Sequence, residues 1–139
     1  MINKHKNIDE EIISSLLYSI ATELSVHIPG SSFYNHLLLV ARNSILNLYG
    51  KEKENKANLG FLGKINLPYF SMGAIDSTHL FGLDELILFS FYHKNKNLYS
   101  RVSDLGANIG LHSIVLSNLG YKVTSYEPDP IHFEKLTQK

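Results

Sequence analysis

The chain has 139 residues, 44% of them apolar, a length and composition typical of one globular domain with a hydrophobic core. Thirteen basic residues balance thirteen acidic residues, which excludes a whole-protein field that would attract nucleic acid or a membrane surface. The absence of cysteine excludes disulfides, thiolate metal sites and cysteine nucleophiles and fits a reducing compartment, and we predict no metal site.

The N-terminal segment does not have the pattern of a signal peptide, because an acidic, amphipathic stretch follows MINKHKN. The longest run of apolar residues covers 37–41 and is far too short to cross a bilayer. We therefore predict a cytoplasmic protein with neither a membrane nor a nucleic acid as its partner.

Residues 9–28 predict an amphipathic helix, because apolar side chains recur at three- and four-residue spacing. Asp9 is its predicted N-cap, and Pro29-Gly30 is its predicted stop. A second helix is predicted from a serine cap at 31 or 32 to Gly50, so the short link makes an antiparallel hairpin. Packing or dimerisation is the simpler role for this hairpin, and a lid over a substrate is the alternative. The predicted buried stripes are Ile12, Ile13, Leu16, Leu17, Ile20, Leu24 and Ile28 in the first helix and Tyr34, Leu37, Leu38, Ala41, Ile45, Leu48 and Tyr49 in the second.

The middle of the chain predicts a connection between two units. Residues 51–63 mix charges with glycine and predict a solvated loop, 64–70 predict a short edge strand, and 71–77 predict a turn. From Asp84, DELILFSFYHKN predicts a buried helix because it is apolar on nearly every side, and a strand is the alternative. The basic tract at 93–101 predicts a solvated connection rather than an RNA-binding surface.

A clearer pattern begins at Tyr99, where YSRVSDLG predicts a strand that enters a glycine turn. Helical spacing over 111–119, a stop at Gly120 and the alternation of YKVTSYE then predict a helix and a second strand. This order is half of a doubly wound α/β unit, whose ligand lies at the carboxyl ends of the strands. Glu127 closes the second strand near the offset of about 20 residues at which such folds hold a ribose diol, so we predict a ligand that contains a nucleoside.

The turn DLGANIGLHS indicates what else the ligand carries. Asn108 stands where a dinucleotide-binding loop has its second glycine, and Asp104 adds negative charge, so a pyrophosphate is disfavoured. A ligand that ends in an amino acid fits better: its ammonium would meet Asp104 and carbonyls of the Gly106 turn, and its carboxylate would accept from amides there or from Asn108. S-adenosylmethionine has this shape and is the predicted cofactor. The alternative for Asp104 is a turn aspartate that bonds its own backbone.

DLGANIGLHS followed by YEPDPIHFEKL resembles the cofactor-binding motifs of class I methyltransferases and, more specifically, those of the FkbM family. The first motif of that family has the form D-x-G-A-N-x-G, and its second strand ends in E-P. The resemblance covers residues 99–139 and implies a Rossmann-like fold that transfers a methyl group from S-adenosylmethionine. The implied acceptor is a hydroxyl oxygen of a sugar, polyketide or similar small metabolite. Carried over by position, the implied cofactor residues are Asp104, Gly106, Asn108 and Gly110 at the methionine end, Glu127 at the ribose and Asp129 near the adenosine.

A class I methyltransferase needs several more strands after the second cofactor motif, because a parallel pair alone cannot cover its edges or bury both faces. We therefore expect this chain to be the N-terminal part of a longer enzyme, with little activity of its own. The expected parts are a helical hairpin at 1–50, a connecting segment at 51–98 and the start of the Rossmann-like cofactor domain at 99–139. No catalytic base is predicted: His112 opens a helix beside the turn, where packing or capping is its simpler role, and His79 has no supporting pattern.

The segment 71–82, SMGAIDSTHLFG, has more turn-forming residues than a simple connector needs. Because it lies upstream of the strand that enters the glycine turn, we predict that Asp76 and Ser77 line the cofactor or acceptor pocket. The alternative is a capped turn without a ligand contact. Two other functions stay open for the whole chain, an NAD(P)-dependent reductase fragment and a non-catalytic helical interaction module.

Overall fold

The computed structural model of the chain describes residues 2–22 and 28–137. These residues form a mixed α/β structure with five α-helices, two antiparallel strand pairs and one parallel strand pair. None of the helices in these two ranges is both long enough and apolar enough to cross a bilayer. In chain order the elements are α1 (Ile2–Thr22), α2 (Ser32–Tyr49), β1 (Lys56–Asn58), β2 (Lys64–Asn66), β3 (Ser71–Met72), β4 (Ile75–Asp76), α3 (Leu83–Asn95), β5 (Arg101–Leu105), α4 (Leu111–Asn118), β6 (Lys122–Tyr126) and α5 (Pro130–Thr137).

The first helix begins earlier than predicted, so the N-cap prediction for Asp9 is wrong. Asp9 lies inside α1 and is buried, and its carboxylate accepts a hydrogen bond from Nδ2 of Asn47 at 3.4 Å. Asn47 is near the end of α2, so this contact shows that α1 and α2 run antiparallel, as predicted. Part of the predicted stripe is confirmed, whereas Leu24 lies outside the described residues and Ile28 is exposed and not helical. The buried members are Ile13, Leu16, Leu17 and Ile20.

The second helix has the predicted ends. Oγ of Ser31 accepts a hydrogen bond from the amide of Tyr34 at 3.1 Å, which satisfies one unpaired N–H of the first turn. Gly50 follows the last residue with φ −66°, so its role is close approach rather than a left-handed stop. A Cβ at Gly50 would lie 2.4 Å from the carbonyl oxygen of Leu46. Leu38, predicted in the buried stripe, is 40% exposed, so the buried face is narrower than the pattern indicated.

The prediction of a solvated loop at 51–63 is wrong for its second half. Residues 51–54 are exposed, but β1 and a 3₁₀ turn follow them, and the apolar side chains there enter the core. Isolated apolar residues among charged ones give no periodic signal, which is why the sequence did not indicate their burial. The buried residues are Ala57, Leu59 and Leu62.

The strand predicted at 64–70 is present but covers only Lys64–Asn66, and the turn predicted at 71–77 lies within a short β-hairpin. β2 pairs antiparallel with β1, and β3 and β4 form a hairpin whose turn contains Gly73 at φ +80°. The predicted helix is also present as α3, but it is buried on one face only. Leu88 and Phe91 are exposed. Apolar residues on every side of a helix make burial favourable, but each side is buried only where another element packs against it.

The last third of the chain has the predicted order of strand, turn, helix and strand. β5 and β6 are parallel, with Asp104 opposite Ser125, and α4 packs against one face of the pair. The other face carries Leu105 and Tyr126, which are 76% and 55% exposed. Gly120, at φ +95°, follows α4 where a stop was predicted.

One cluster of buried apolar side chains joins α1, α2, α3 and α4 to the first strand pair. α1 packs against both α2 and α3, and α3 contacts α4. The division of the chain at residues 50 and 98 stays a prediction, and the buried cluster draws on all three of the predicted parts. Representative members are Ile13, Ile45, Leu62, Phe89 and Val115.

Candidate functional site

The candidate site is the turn from Gly106 to Gly110, which connects the carboxyl end of β5 to α4. Three of its residues have left-handed backbones: Gly106 at φ +76°, Asn108 at φ +51° and Gly110 at φ +87°. Glycine and asparagine tolerate left-handed backbone angles better than other residues. The turn requires such angles at every second position of GANIG, which explains why glycine, asparagine and glycine stand there. Asparagine at 108 is therefore a solution to the turn's geometry as well as a possible ligand group.

Every backbone amide of this turn already has a partner in the protein. The amides of Gly106 and Ala107 both donate to the carbonyl oxygen of Tyr126, at 2.9 and 3.0 Å. The amide of Asn108 donates to Oε2 of Glu127 at 2.7 Å. The remaining two donate within the turn, Ile109 to Oδ1 of Asn108 at 2.7 Å and Gly110 to the carbonyl of Ala107 at 2.8 Å. A site for a pyrophosphate needs backbone amides directed at the ligand, and this turn directs its amides at β6 and at itself.

Glu127 joins the two segments that follow the parallel strands. Its Oε2 accepts from Asn108, and its Oε1 accepts from the amide of Asp129 at 2.8 Å. Each carboxylate oxygen has lone pairs for a second hydrogen bond, so these contacts leave acceptor capacity for the two hydroxyls of a ribose. The prediction that Glu127 closes the second strand is confirmed, because it directly follows β6, and its contact with ribose stays a prediction.

Asp104 is held on the helix side of the strand pair. Its Oδ2 accepts a hydrogen bond from Oγ of Ser113 at 2.5 Å, and Oγ of Ser113 lies 2.7 Å from Oγ of Ser125. The sequence reasoning missed both serines. Their positions were the available signal. Ser113 on α4 and Ser125 on β6 are polar residues on faces that pack inward, where an apolar residue would be expected.

Asp129 sits beside Glu127 and caps α5. Its Oδ1 accepts from the amides of Ile131 and His132 at 2.8 and 3.0 Å. The hydrogen bond from the His132 amide, with that from Ile131, lowers the pKa of the Asp129 carboxyl below its ordinary value. The structure thus brings Asp104, Asn108, Glu127 and Asp129 to the carboxyl ends of the parallel strands.

Asp76 and Ser77 lie in a different structural setting, a capped 3₁₀ turn at residues 77–80. Oδ1 of Asp76 accepts from the amide and hydroxyl of Thr78, at 2.8 and 2.6 Å, while Nδ1 of His79 accepts from the Asp76 amide at 3.1 Å. Burial opposes ionisation of Asp76, but the two hydrogen bonds from Thr78, together with the neighbouring imidazole of His79, outweigh it and lower the pKa of this carboxyl. Ser77 is fully buried. The capped turn is therefore present, and a cofactor contact by Asp76 or Ser77 stays a prediction.

His112, at the start of α4, is engaged by α3. Its Nδ1 lies 3.0 Å from the hydroxyl of Tyr92, and its ring packs edge-on against Phe89 at 5.1 Å. Its Nε2 lies 2.9 Å from Oε2 of Glu85, an ion-pair distance without hydrogen-bond geometry. Burial, followed by the negative charges of Asp104 and Glu85, raises the pKa of the Tyr92 phenol. These contacts agree with packing as the role of His112.

A groove of about 610 Å³ lies next to the turn. One wall is formed by β2 and the residues after it, and the other by the first turn region of α4 and by α5. Sequence reasoning had no signal for this groove, because its walls are about forty to seventy residues apart in the chain. It is lined by Lys64, Asn66, Pro68, Tyr69, Phe70, Ile109, Ile114 and Lys135.

Comparison with protein-family models, with curated proteins and with solved structures finds no match to this chain. The assignment of a function therefore depends on the chemistry of the turn and its surroundings.

Proposed function

We propose that the chain binds S-adenosylmethionine and forms the cofactor-binding part of a methyltransferase with a Rossmann-like class I fold. The observation that carries the proposal is the engagement of all the amides from Gly106 to Gly110 by protein acceptors. A dinucleotide uses donors of the glycine turn together with those of the helix N-terminus for its pyrophosphate, so this turn offers it fewer donors, whereas an adenosine linked to methionine has no phosphate to bind.

The charges around the turn support the same ligand. Asp104 and Glu127 are carboxylates at the ends of β5 and β6, and an anionic ligand would be repelled by both. In the proposal Asp104 attracts the ammonium of the methionine end, Asn108 meets the carboxylate of that end, and Glu127 accepts from the ribose hydroxyls. Asp129 lies on the adenosine side of the site.

The cofactor supplies an electrophilic methyl group, and the chain's own residues bind and orient it. Methyl transfer is an in-line displacement, so the rate depends strongly on how the acceptor is positioned. The proposed acceptor is a hydroxyl of a small metabolite, by the FkbM resemblance, and the proposed location is the cytoplasm. Because all backbone amides of the turn are already hydrogen-bonded within the protein, the reductase alternative has less support.

The test is a comparison of ligands by isothermal titration calorimetry, supported by amide chemical shifts for weak binding. We expect S-adenosylhomocysteine to bind more tightly than NADH and to perturb the amides of Asn108 and Asp129. Methylthioadenosine, which lacks the amino-acid end, is the matched control and should bind more weakly than S-adenosylhomocysteine. Tighter binding of NADH would contradict the proposal and favour the reductase.

A further inference from the structure

The groove beside the turn, which we name the Phe70 groove after one of its lining residues, combines apolar side chains with positive charge. Ile109 and Ile114 supply aliphatic surface from α4 and the turn before it, and Tyr69 and Phe70 supply two aromatic rings from the opposite wall. A volume of about 610 Å³ falls in the range of small-molecule sites, which are mostly apolar with a few placed polar groups. The groove is therefore suited to a ligand with a ring or short aliphatic body.

The aromatic wall is fixed before any ligand binds. The amide of Phe70 donates to Oγ of Ser77 at 3.1 Å, and the amide of Ser77 donates to the carbonyl of Phe70 at 2.9 Å. The hydroxyl of Tyr69 donates to Oδ2 of Asp76 at 3.3 Å. Because Asp76 and Ser77 are themselves held in the capped 3₁₀ turn, the wall loses little conformational freedom on binding.

The charged groups of the groove are both cationic. Lys64 and Lys135 line it from opposite sides, and no acidic side chain is among its lining residues. Within residues 2–22 and 28–137, neither ammonium lies within ion-pair distance of a carboxylate. Nζ of Lys135 lies 6.0 Å from the centre of the Phe70 ring, and His132 packs edge-on against the same ring at 5.8 Å. Positive charge thus sits over an aromatic surface.

We propose that the Phe70 groove binds a small amphipathic anion, an apolar or aromatic body bearing one carboxylate or phosphate group. The body packs on Tyr69, Phe70 and the two isoleucines, and the anionic group meets Lys64 or Lys135. This site is separate from the proposed cofactor contacts, whose neighbouring charges are negative. Ile109 directly follows Asn108, so a ligand in the groove adjoins the cofactor turn without sharing its binding groups.

The proposal is tested by titrating the isotope-labelled chain with phenyl phosphate, benzoate and benzyl alcohol while recording amide chemical shifts. We expect both anions to perturb the amides of Phe70, Ile109 and Ile114, and benzyl alcohol to bind at least about fivefold more weakly because it lacks the charge. The stronger of the two anions identifies the acidic group that the groove prefers. Equal affinity for benzyl alcohol and the anions would overturn the proposal, and so would perturbations confined to other surfaces.

Charge-removing variants make the assignment specific. Lys135→Met and Lys64→Met keep the aliphatic stem, and at least one of them should weaken binding of the preferred anion by about fivefold at low salt, whereas arginine at that position should not. Lys51→Met is the matched control, because Lys51 is exposed in the turn after α2 and does not line the groove. An equal loss in Lys51→Met would show a general charge effect and reject the site. Affinity for S-adenosylhomocysteine, measured on the same samples, reports separately on the proposed function.

Discussion

Glu127 and Asn108 are joined by a hydrogen bond of 2.7 Å between a side-chain carboxylate and a backbone amide, although they lie 19 residues apart. The end of β6 thereby fixes the centre of the turn that follows β5. The second oxygen of Glu127 fixes the start of the next segment through Asp129. One carboxylate therefore holds the shape of the site and remains available to accept from a ligand, so substitutions at this position have two measurable effects.

Glu127→Ala should weaken binding of S-adenosylhomocysteine by about 1–3 kcal/mol, because ribose hydroxyls lose their charged acceptor and the Asn108 amide loses its partner. Calorimetry with a parallel thermal melt measures affinity and folding in the same preparation. Glu11→Ala, at an exposed position of α1, is the control and should change neither. An unchanged dissociation constant in folded Glu127→Ala would show that Glu127 does not hold the ribose.

Asp104→Asn should reduce affinity for S-adenosylhomocysteine by about 1.5–3 kcal/mol while leaving methylthioadenosine binding nearly unchanged. The reason is that only the first ligand has an ammonium for Asp104 to attract. The amide of the variant can still accept from Ser113, so the fold should survive. Equal losses for the two ligands would mean that Asp104 acts on the shape of the turn and not on the methionine end.

The capped turn predicts different outcomes for two substitutions of Asp76. Asp76→Ala should lower the free energy of unfolding by about 0.5–2 kcal/mol, whereas Asp76→Asn should be close to neutral because asparagine is an equally good N-cap. Both variants should retain their affinity for S-adenosylhomocysteine if capping is the only role. Urea denaturation and calorimetry check the two quantities, and lost affinity with unchanged stability would favour the ligand role instead.

Acid should remove the contribution of Asp76 to stability. Hydrogen bonds lower the pKa of this carboxyl in the folded state from its ordinary value of 3.8, so its contribution is present above that value and is lost as the pH falls through the lower, folded-state pKa. Stability curves from pH 6 to about pH 2 should therefore be less steep at the acid end for Asp76→Asn than for the unaltered chain. Identical slopes would indicate that the carboxylate form gives no advantage in the folded protein.

Gly110→Ala and Gly120→Ala should destabilise the chain by similar amounts, because both glycines have left-handed backbones, which cost an alanine about 1–2 kcal/mol. At Gly110 the new Cβ would lie 2.6 Å from Cδ1 of Leu136, the free end of a partly buried side chain that can shift at little cost. At Gly120 the described residues beyond its chain neighbours leave the corresponding position open to 4 Å. Chemical denaturation measures both losses. A clearly larger loss for Gly110→Ala than for Gly120→Ala, absent when Gly110→Ala is made in a Leu136→Ala background, would show that Leu136 cannot move aside.

Elements defined by neighbouring residues could be predicted from the sequence. The Ser31 cap, the end of α2 at Gly50 and the strand, turn, helix and strand of the last third depend on spacing and on turn chemistry within a few residues. Predictions failed where contacts with residues far away in the sequence determine the local structure. Asp9 looks like an N-cap but faces Asn47 across the helix pair, and Ala57 is buried although its neighbours are charged.

The candidate site divides in the same way. The motif itself placed Asp104, Asn108, Glu127 and Asp129 at the strand ends, because parallel strands bring successive carboxyl ends to one edge. The position of Asp104 beside the serines depends on the strand register that places it opposite Ser125. Residue spacing within one strand does not reveal that register. The Phe70 groove depends on packing between segments far apart in the chain, so no local pattern could indicate it.

The fully engaged amides of the glycine turn also bear on how this site can change during evolution. Because the amides of the turn are held by the Tyr126 carbonyl, the Glu127 side chain and acceptors within the turn, exchanging a single side chain does not free the whole set of donors for phosphate. A lineage that moved from this site towards dinucleotides would have to shift the end of β6 as well. If the chain binds S-adenosylmethionine as proposed, this ligand class would therefore resist point mutation, whereas groove side chains outside the turn could diversify without disturbing it.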